Sequence, residues 1–492
     1  MATAESSCTF LIDDVRWYKT LAHPGRSTVE IFGRELFVNW LTFAIKGVDY
    51  SPPPSCRGWQ YDWTNHPERY TSDFQLIHDA GMNVIRTYRP LTRTAALDEA
   101  YAHGIYIIQQ FGVDPLKLTC SEGKEFLKSQ FVDMVNEWKD HPAILMWLVG
   151  NEVNLNLPSG VNLYDDWYPL LDEMARLAHE AETEAGKPPY HPVTTANGDS
   201  PNLEEICNPS LSDDTAMPYL DLWALQLYRD CRFGKDHSND AFEQYRSKSD
   251  CGRPLLMTEF GLDAYNNQLG FEDETMQANC VENLLNELQS ERAVAKANGV
   301  GIGGCIFEWQ DEYWKSGCNP GAWCVQDTCI DWWNYKYADP AMQEEWWGLC
   351  RNWSDPDTRT CRQSYTTAGN VWRLGETSGC EPDWMRVTTY DKMTGAITIS
   401  FKQTPGATDH TVHYGYLSLV SSHTYSGSAC YLGATGNAVF QLPEGSFYWV
   451  IVGNDGREEG CYGMTSSGNE LPWNSAGICS LSLSSVRQCG CP

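Results

Sequence analysis

Eight short apolar runs recur through residues 43–310 with helical patterns between them, and that alternation leaves the chain very few architectures. The runs are FAIKGVDY (43–50), MNVIRTY (82–88), GIYIIQQF (104–111), AILMWLVGNE (143–152), HPVTTANG (191–198), LDLWALQLY (220–228), PLLMTEFG (254–261) and VGIGGCIFEWQ (300–310). Between them Trp167, Leu170, Leu171, Met174, Leu177 and Ala178 repeat with helical period, as do Val281, Leu284, Leu285 and Leu288. A helix is expected over 71–80, opened by Thr71 and Ser72, and Gly81, Gly104, Gly186 and Gly299 sit where helices should end. Eight βα units in one run predict a (β/α)8 TIM barrel. The alternative, a doubly wound open sheet, would favour a Gly-rich loop after its first strand, and GVDYSPPPS offers none.

The flanks read differently. Residues 1–40 form a lead-in with a hairpin-like stretch over 28–40. The barrel domain is expected over 41–379, its last part a Cys- and Trp-rich closing segment. Over 380–465 the texture changes to alternating runs, MRVTTY, AITISFKQ, HTVHYGYLS, NAVFQLP and FYWVIVGND, separated by turn residues. They predict a small β-sandwich whose spacing resembles a fibronectin type III module. There Tyr414, Tyr416, Tyr448 and Trp449 alternate as core-packing strand residues do. Residues 466–492 form a Ser-, Gly- and Cys-rich tail.

The chain has 19 Cys, many in loop-like segments, which points to disulfides and an oxidising compartment. Zinc is disfavoured because His is scarce and the closest cysteines, Cys489 and Cys491, lack the usual ligand spacing. The odd count leaves at least one thiol unpaired. The start, MATAESSCTF, contains no apolar run of signal-peptide length, so the expectation of a secreted or lumenal protein requires a leader already removed or another export route. No apolar stretch is long enough to span a membrane. One glycosylation sequon is present, Asn352-Trp353-Ser354.

Charge narrows the partners. With 35 basic against 65 acidic residues, the net charge of −30 repels nucleic acid and anionic membrane. It does not repel a neutral polysaccharide or oligosaccharide, and 20 Trp with 25 Tyr offer flat faces suited to sugar rings.

In a barrel the strand C-termini hold the site. The runs end in Asp49 and Tyr50, in Arg86 and Tyr88, in Asn151 and Glu152, in Gln226 and Tyr228, in Glu259, and in Glu308 and Trp309. Glu152 and Glu259 follow strongly apolar stretches, where a carboxylate is costly unless paired or employed. Two carboxylates across one mouth are the machinery of glycoside hydrolysis, about 5–5.5 Å apart in the retaining version. No nucleophile elbow, phosphate loop or paired-His metal motif competes, and no cofactor is called for.

Asn-Glu ending the fourth strand and Glu ending the seventh resemble the retaining glycosidase clan with that arrangement. NVIRTY, LVGNEVN, TEFG and FEWQDEYWK with EEWWG are similar to motifs of the glycoside hydrolase family 2 barrel. They also resemble the family 72 β-1,3-glucanosyltransferases, with Phe260 where those have Tyr. The resemblance covers about residues 30–350 and implies roles. Glu152 would be the acid/base and Glu259 the nucleophile. Asn151 would bond the sugar 2-OH, Arg86 would hold Glu259 ionised, and Tyr228 would donate to it. Trp309 would be the platform under the sugar. Asp49, Tyr50, Gln226 and Glu308 would add substrate contacts, with Asp311 and Glu312 beside Glu308 as a binding or loop-anchoring cluster. The implied activity is retaining hydrolysis or transglycosylation of a β-linked polysaccharide, β-1,3-glucan first, with β-mannan and β-galactoside as alternatives. The rivals are a catalytically retired wall or binding protein, and an aldolase or metal hydrolase, which would want a Lys or His cluster at the strand ends.

Overall fold

The computed structural model describes residues 26–39, 41–183, 186, 188–293, 295–296, 298–315, 321–353, 359–378, 385–391, 396–401, 407–416, 424–433, 435–441, 447–459, 479 and 481–483. The chain falls into two compact units divided between Arg373 and Leu374. Most of the lead-in before Arg26 and of the expected tail lies outside the described residues, as does the side chain of Tyr448.

In the first unit eight parallel strands close into a barrel. They are Ile45–Asp49, Val84–Arg86, Tyr106–Phe111, Ile144–Asn151, Val193–Gly198, Trp223–Gln226, Leu255–Phe260 and Gly301–Ile306. Each lies inside one of the eight apolar runs. Period-two alternation builds two layers of core from the same strands. Ile45, Val84, Ile108, Met146, Leu148, Ala224 and Leu256 fill the barrel. Ile85, Ile107, Trp147, Val149 and Trp223 face the helices. Each fully buried side chain of this size contributes about 1.5–3 kcal/mol.

The hairpin Val29–Phe32 and Glu35–Val38 adds Val29, Leu36 and Val38 to the interior cluster and seals one end of the barrel. Closure joins the eighth strand to the first with Gly303 opposite Ile45. Gly303 has φ +112°, and a Cβ there would lie 2.0 Å from the Ile45 carbonyl oxygen, so only glycine permits the approach.

Two local expectations change. The helix expected over 71–80 spans Pro67–Asp79, because Pro67 occupies its first turn and presets the backbone; Thr71 and Ser72 are exposed inside it. Gly81, Gly104 and Gly186 have the left-handed backbone of helix ends. Gly299 does not: a Cβ there would meet the Arg292 carbonyl oxygen at 2.2 Å, so close backbone packing explains it.

Disulfides join Cys56 to Cys324, Cys207 to Cys251, Cys231 to Cys280, Cys350 to Cys361 and Cys430 to Cys479. Cys120 and Cys305 are free thiols, the second buried in the barrel. Asn352 of the sequon is buried; its amide donates to the carbonyls of Pro53 (3.1 Å) and Asp311 (2.9 Å), so the folded chain offers no glycan acceptor there. No helix among the described residues is long and apolar enough to cross a membrane.

The second unit holds a three-stranded antiparallel sheet of Met385–Asp391, Ala396–Phe401 and Asn437–Gln441. A five-stranded sheet contains Gly427–Ala429, Asp409–Tyr416, Phe447–Asn454, Glu458–Glu459 and Ser482–Leu483. Ile397, Ile399, Phe401 and Phe440 of the first meet Val412 and Trp449 of the second, making a small sandwich core.

Candidate active site

Glu259 closes the seventh strand and stands in a cage of donors. Its Oε1 accepts from Arg86 (2.6 Å), Tyr88 (2.6 Å) and Gln226 (2.5 Å), and its Oε2 from Tyr228 (2.9 Å). Burial raises the pKa of both tyrosines, which keeps them neutral donors. Charge-assisted bonds of this kind hold a carboxylate in one orientation.

Glu152 has a different environment. Its carboxyl makes no hydrogen bond among the described residues, and burial, with the nearby Glu259 charge, pushes its pKa up to about 7. Its backbone is left-handed, φ 48° and ψ 34°. Neighbours on a strand face opposite sides. The kink lets Asn151 and Glu152 both serve the mouth, at a cost of about 1–2 kcal/mol for a non-Gly residue. Two carboxyls are thus set apart, one fixed by four donors and one able to carry a proton near neutrality.

Arg86 is the hub beneath them. Besides Glu259 it donates to Asp49 (3.3 Å), Gln110 (2.9 Å) and the Asn151 side-chain oxygen. Gln226 donates to that same oxygen at 2.7 Å. With its oxygen so occupied, Asn151 turns its NH2 away from the hub, free of partners among the described residues.

The remaining candidates separate by strand parity. Asp49 and Gln226 point inward but lie fully buried, so they position Arg86, Asn151 and Glu259 and do not reach a sugar. Burial, opposed by Arg86, raises the Asp49 pKa. Tyr50 points to the opposite side, where its hydroxyl donates to Asp73 (3.0 Å) under the Pro67–Asp79 helix. Trp309 is not a platform. Residues 308–350 pair back on themselves, Glu308 with Trp347 and Leu349, Trp309 with Cys350. That turns the Trp309 ring into the core beside Tyr365. Phe307 stands by the mouth instead, 6.2 Å from the Tyr228 ring. Glu308 is buried and forms a cluster with Glu312 and Lys315; burial first, then the Glu312 charge, raises its pKa well above the carboxylate range. Asp311 anchors the loop through Arg362 (2.7 Å to each oxygen).

Sequence reasoning gave no role to Tyr88 or Gln110. Tyr88 carried a signal, since it lies two residues after Arg86 and so shares its face. Lys315 and Glu344 come from the long loop after the eighth strand; they stand in FEWQDEYWK and EEWWG, motifs quoted above without a role for these two residues.

Tyr228→Phe is expected to lower kcat about 10- to 100-fold with little change in KM, by removing one charge-assisted bond to Glu259. Steady-state kinetics with an aryl glycoside measures this; an unchanged kcat would dismiss the role.

Residues 29–300 match the family described as "Glycosyl hydrolases family 2, TIM barrel domain". The β-glucuronidase of Mus musculus is 22% identical over 250 residues, covering 49% of this chain and 34% of that protein. That of Rattus norvegicus is 24% identical over 249 residues, covering 49% and 34%. Among solved structures, a GH2 β-galacturonidase from Eisenbergiella tayi has 17% identity and a TM-score of 0.49, covering 71% of this chain and 54% of its own. A β-glucuronidase from Ruminococcus gnavus has 18% identity and a TM-score of 0.48, covering 70% and 52%. The chain spans about a third of the length of the curated relatives it matches. The β-1,3-glucan expectation rested on the family 72 likeness and draws no support from these matches. Closed eight-stranded barrel, glutamates ending the fourth and seventh strands and the match over 29–300 agree, and the chain belongs to glycoside hydrolase family 2.

Proposed function

We propose that the barrel cleaves a β-linked glycoside with retention of configuration. The observation that carries this is the contrast between the two glutamates: Glu259 held by four donors, Glu152 raised to about 7. In the first step Glu259 attacks the anomeric carbon while Glu152 gives its proton to the departing oxygen. The glycosyl–oxygen bond breaks and a glycosyl–carboxylate bond forms. In the second step Glu152, now ionised, takes a proton from water, which attacks the same carbon and releases Glu259. The free NH2 of Asn151 is placed to donate to the sugar 2-OH, a bond that strengthens as charge develops at the anomeric centre. A sugar hydroxyl in place of water would make the same intermediate a transglycosylation donor. The five disulfides between described residues support a secreted or lumenal location.

Proton NMR of the first-formed reducing sugar tests the mechanism. The β-anomer is expected to appear first and mutarotate later. Initial release of the α-anomer would show inversion and refute the assignment of Glu259 as nucleophile.

A further inference from the structure

We propose that Glu308 and Glu312 determine which sugar the pocket takes: by holding Lys315 they leave uncommitted neither of the described cations that act on Glu152, so the site favours a neutral glycoside over a uronide. This rests on the glycosidase reading above. The cations whose charge acts on the Glu152 carboxyl are Arg86 and Lys315. Arg86 is fully buried and engaged with Glu259 and Asp49. Lys315 is the one within reach, its side chain 17% exposed and its Nζ 4.1 Å over the Phe307 ring. That Nζ lies 2.8 Å from Glu312 and 3.7 Å from Glu308. Both glutamates are nearly inaccessible, at 3% and 2% exposure, and one oxygen of each has no hydrogen-bond partner among the described residues. The Glu312 carboxylate therefore has Lys315 as its nearest opposite charge, with Glu308 closing the far side of the same ammonium. Glu344 adds a further carboxyl that acts on Glu152, Glu259 and Lys315 alike. A uronate bound at the cleavage point would bring another anion to a pocket where carboxyls already outnumber cations, and uncompensated like charge opposes its binding. Hydroxyl groups of a neutral sugar meet no such penalty. The reading sets this chain apart from relatives named as β-glucuronidases and a β-galacturonidase.

The test uses the full chain with aryl β-glucoside, β-galactoside, β-mannoside, β-glucuronide and β-galacturonide sharing one leaving group. The best neutral sugar is expected to exceed both uronides in kcat/KM by at least ~100-fold. In Glu312→Gln, which removes the carboxylate 2.8 Å from Lys315, that ratio is expected to shrink at least about tenfold. A uronide within tenfold of the best neutral sugar in the wild type overturns the proposal and leaves the glycosidase reading intact. If no glycoside is turned over, the glycosidase reading falls. Calorimetric binding of neutral against uronic iminosugars then still decides the specificity: preference for the neutral compound supports it, and preference for the uronic one ends it.

Discussion

Glu259→Gln is expected to lower kcat by on the order of 10,000-fold or more while the barrel stays folded. Glutamine keeps the shape: its one oxygen can still accept from Arg86, Tyr88 and Gln226, and its NH2 can donate to the Tyr228 hydroxyl, so the cage survives. What disappears is the carboxylate proposed as the nucleophile, and with it the covalent intermediate of that mechanism. Arg86 retains its contact with Asp49 (3.3 Å), and loss of the Glu259 charge removes one of the causes that raise the Asp49 pKa, which limits the cost of the lost pair. Circular dichroism and a thermal melt establish that the variant is folded before kinetics are read. Azide separates a lost nucleophile from general damage. In Glu259→Ala it attacks directly from the vacated side and gives a glycosyl azide of inverted configuration. Recovery of a retained product in that variant, or kcat within tenfold of wild type in Glu259→Gln, would remove Glu259 from the role.

The second large effect concerns Glu152. Its pKa near 7 means that it is protonated below that pH and able to serve as the acid. Activity of the wild type should therefore fall as pH rises through about 7, with the group's proton lost. In Glu152→Gln this alkaline limb should vanish. The loss in rate should depend on the leaving group: about 1,000-fold for a poor alcohol and far less for a nitrophenolate, which departs without a proton. Azide added to Glu152→Ala should give a product of retained configuration, because Glu259 has already acted. An alkaline limb that persists in Glu152→Gln would assign the titration to another group.

The barrel was legible because burying both faces of a parallel strand demands a continuous apolar run, and eight such runs stand in order. The two glutamates were legible because a carboxylate after LMWLVG or PLLM conflicts with its surroundings unless chemistry employs it. Parity decided much of the rest. Arg86 and Tyr228 lie on the inward face, and they reach Glu259. Tyr50 follows an inward Asp49, so it points outward, a fact the sequence already contained. Trp309 was misassigned for a different reason. Its orientation is set by pairing with Cys350, some forty positions along a loop that has no periodicity. The same loop supplies Lys315 and Glu344, which is why the charge around the sugar became visible only in three dimensions.

Closure between Gly301–Ile306 and Ile45–Asp49 has a consequence for how the chain is made. The first strand leaves the ribosome long before its partner exists. The span is comparable to the 268 positions that separate Cys56 from Cys324. At ordinary elongation rates that is a wait of roughly 15–50 s. Throughout it, the unclosed sheet presents open hydrogen-bonding edges on its outermost strands, and Cys56 is a thiol without its mate. Nascent barrels of this kind are exposed to aggregation and to mispairing with earlier-emerging cysteines such as Cys120. Production in a host whose chaperones and thiol isomerases act during translocation suits this protein better than refolding from a denatured pool.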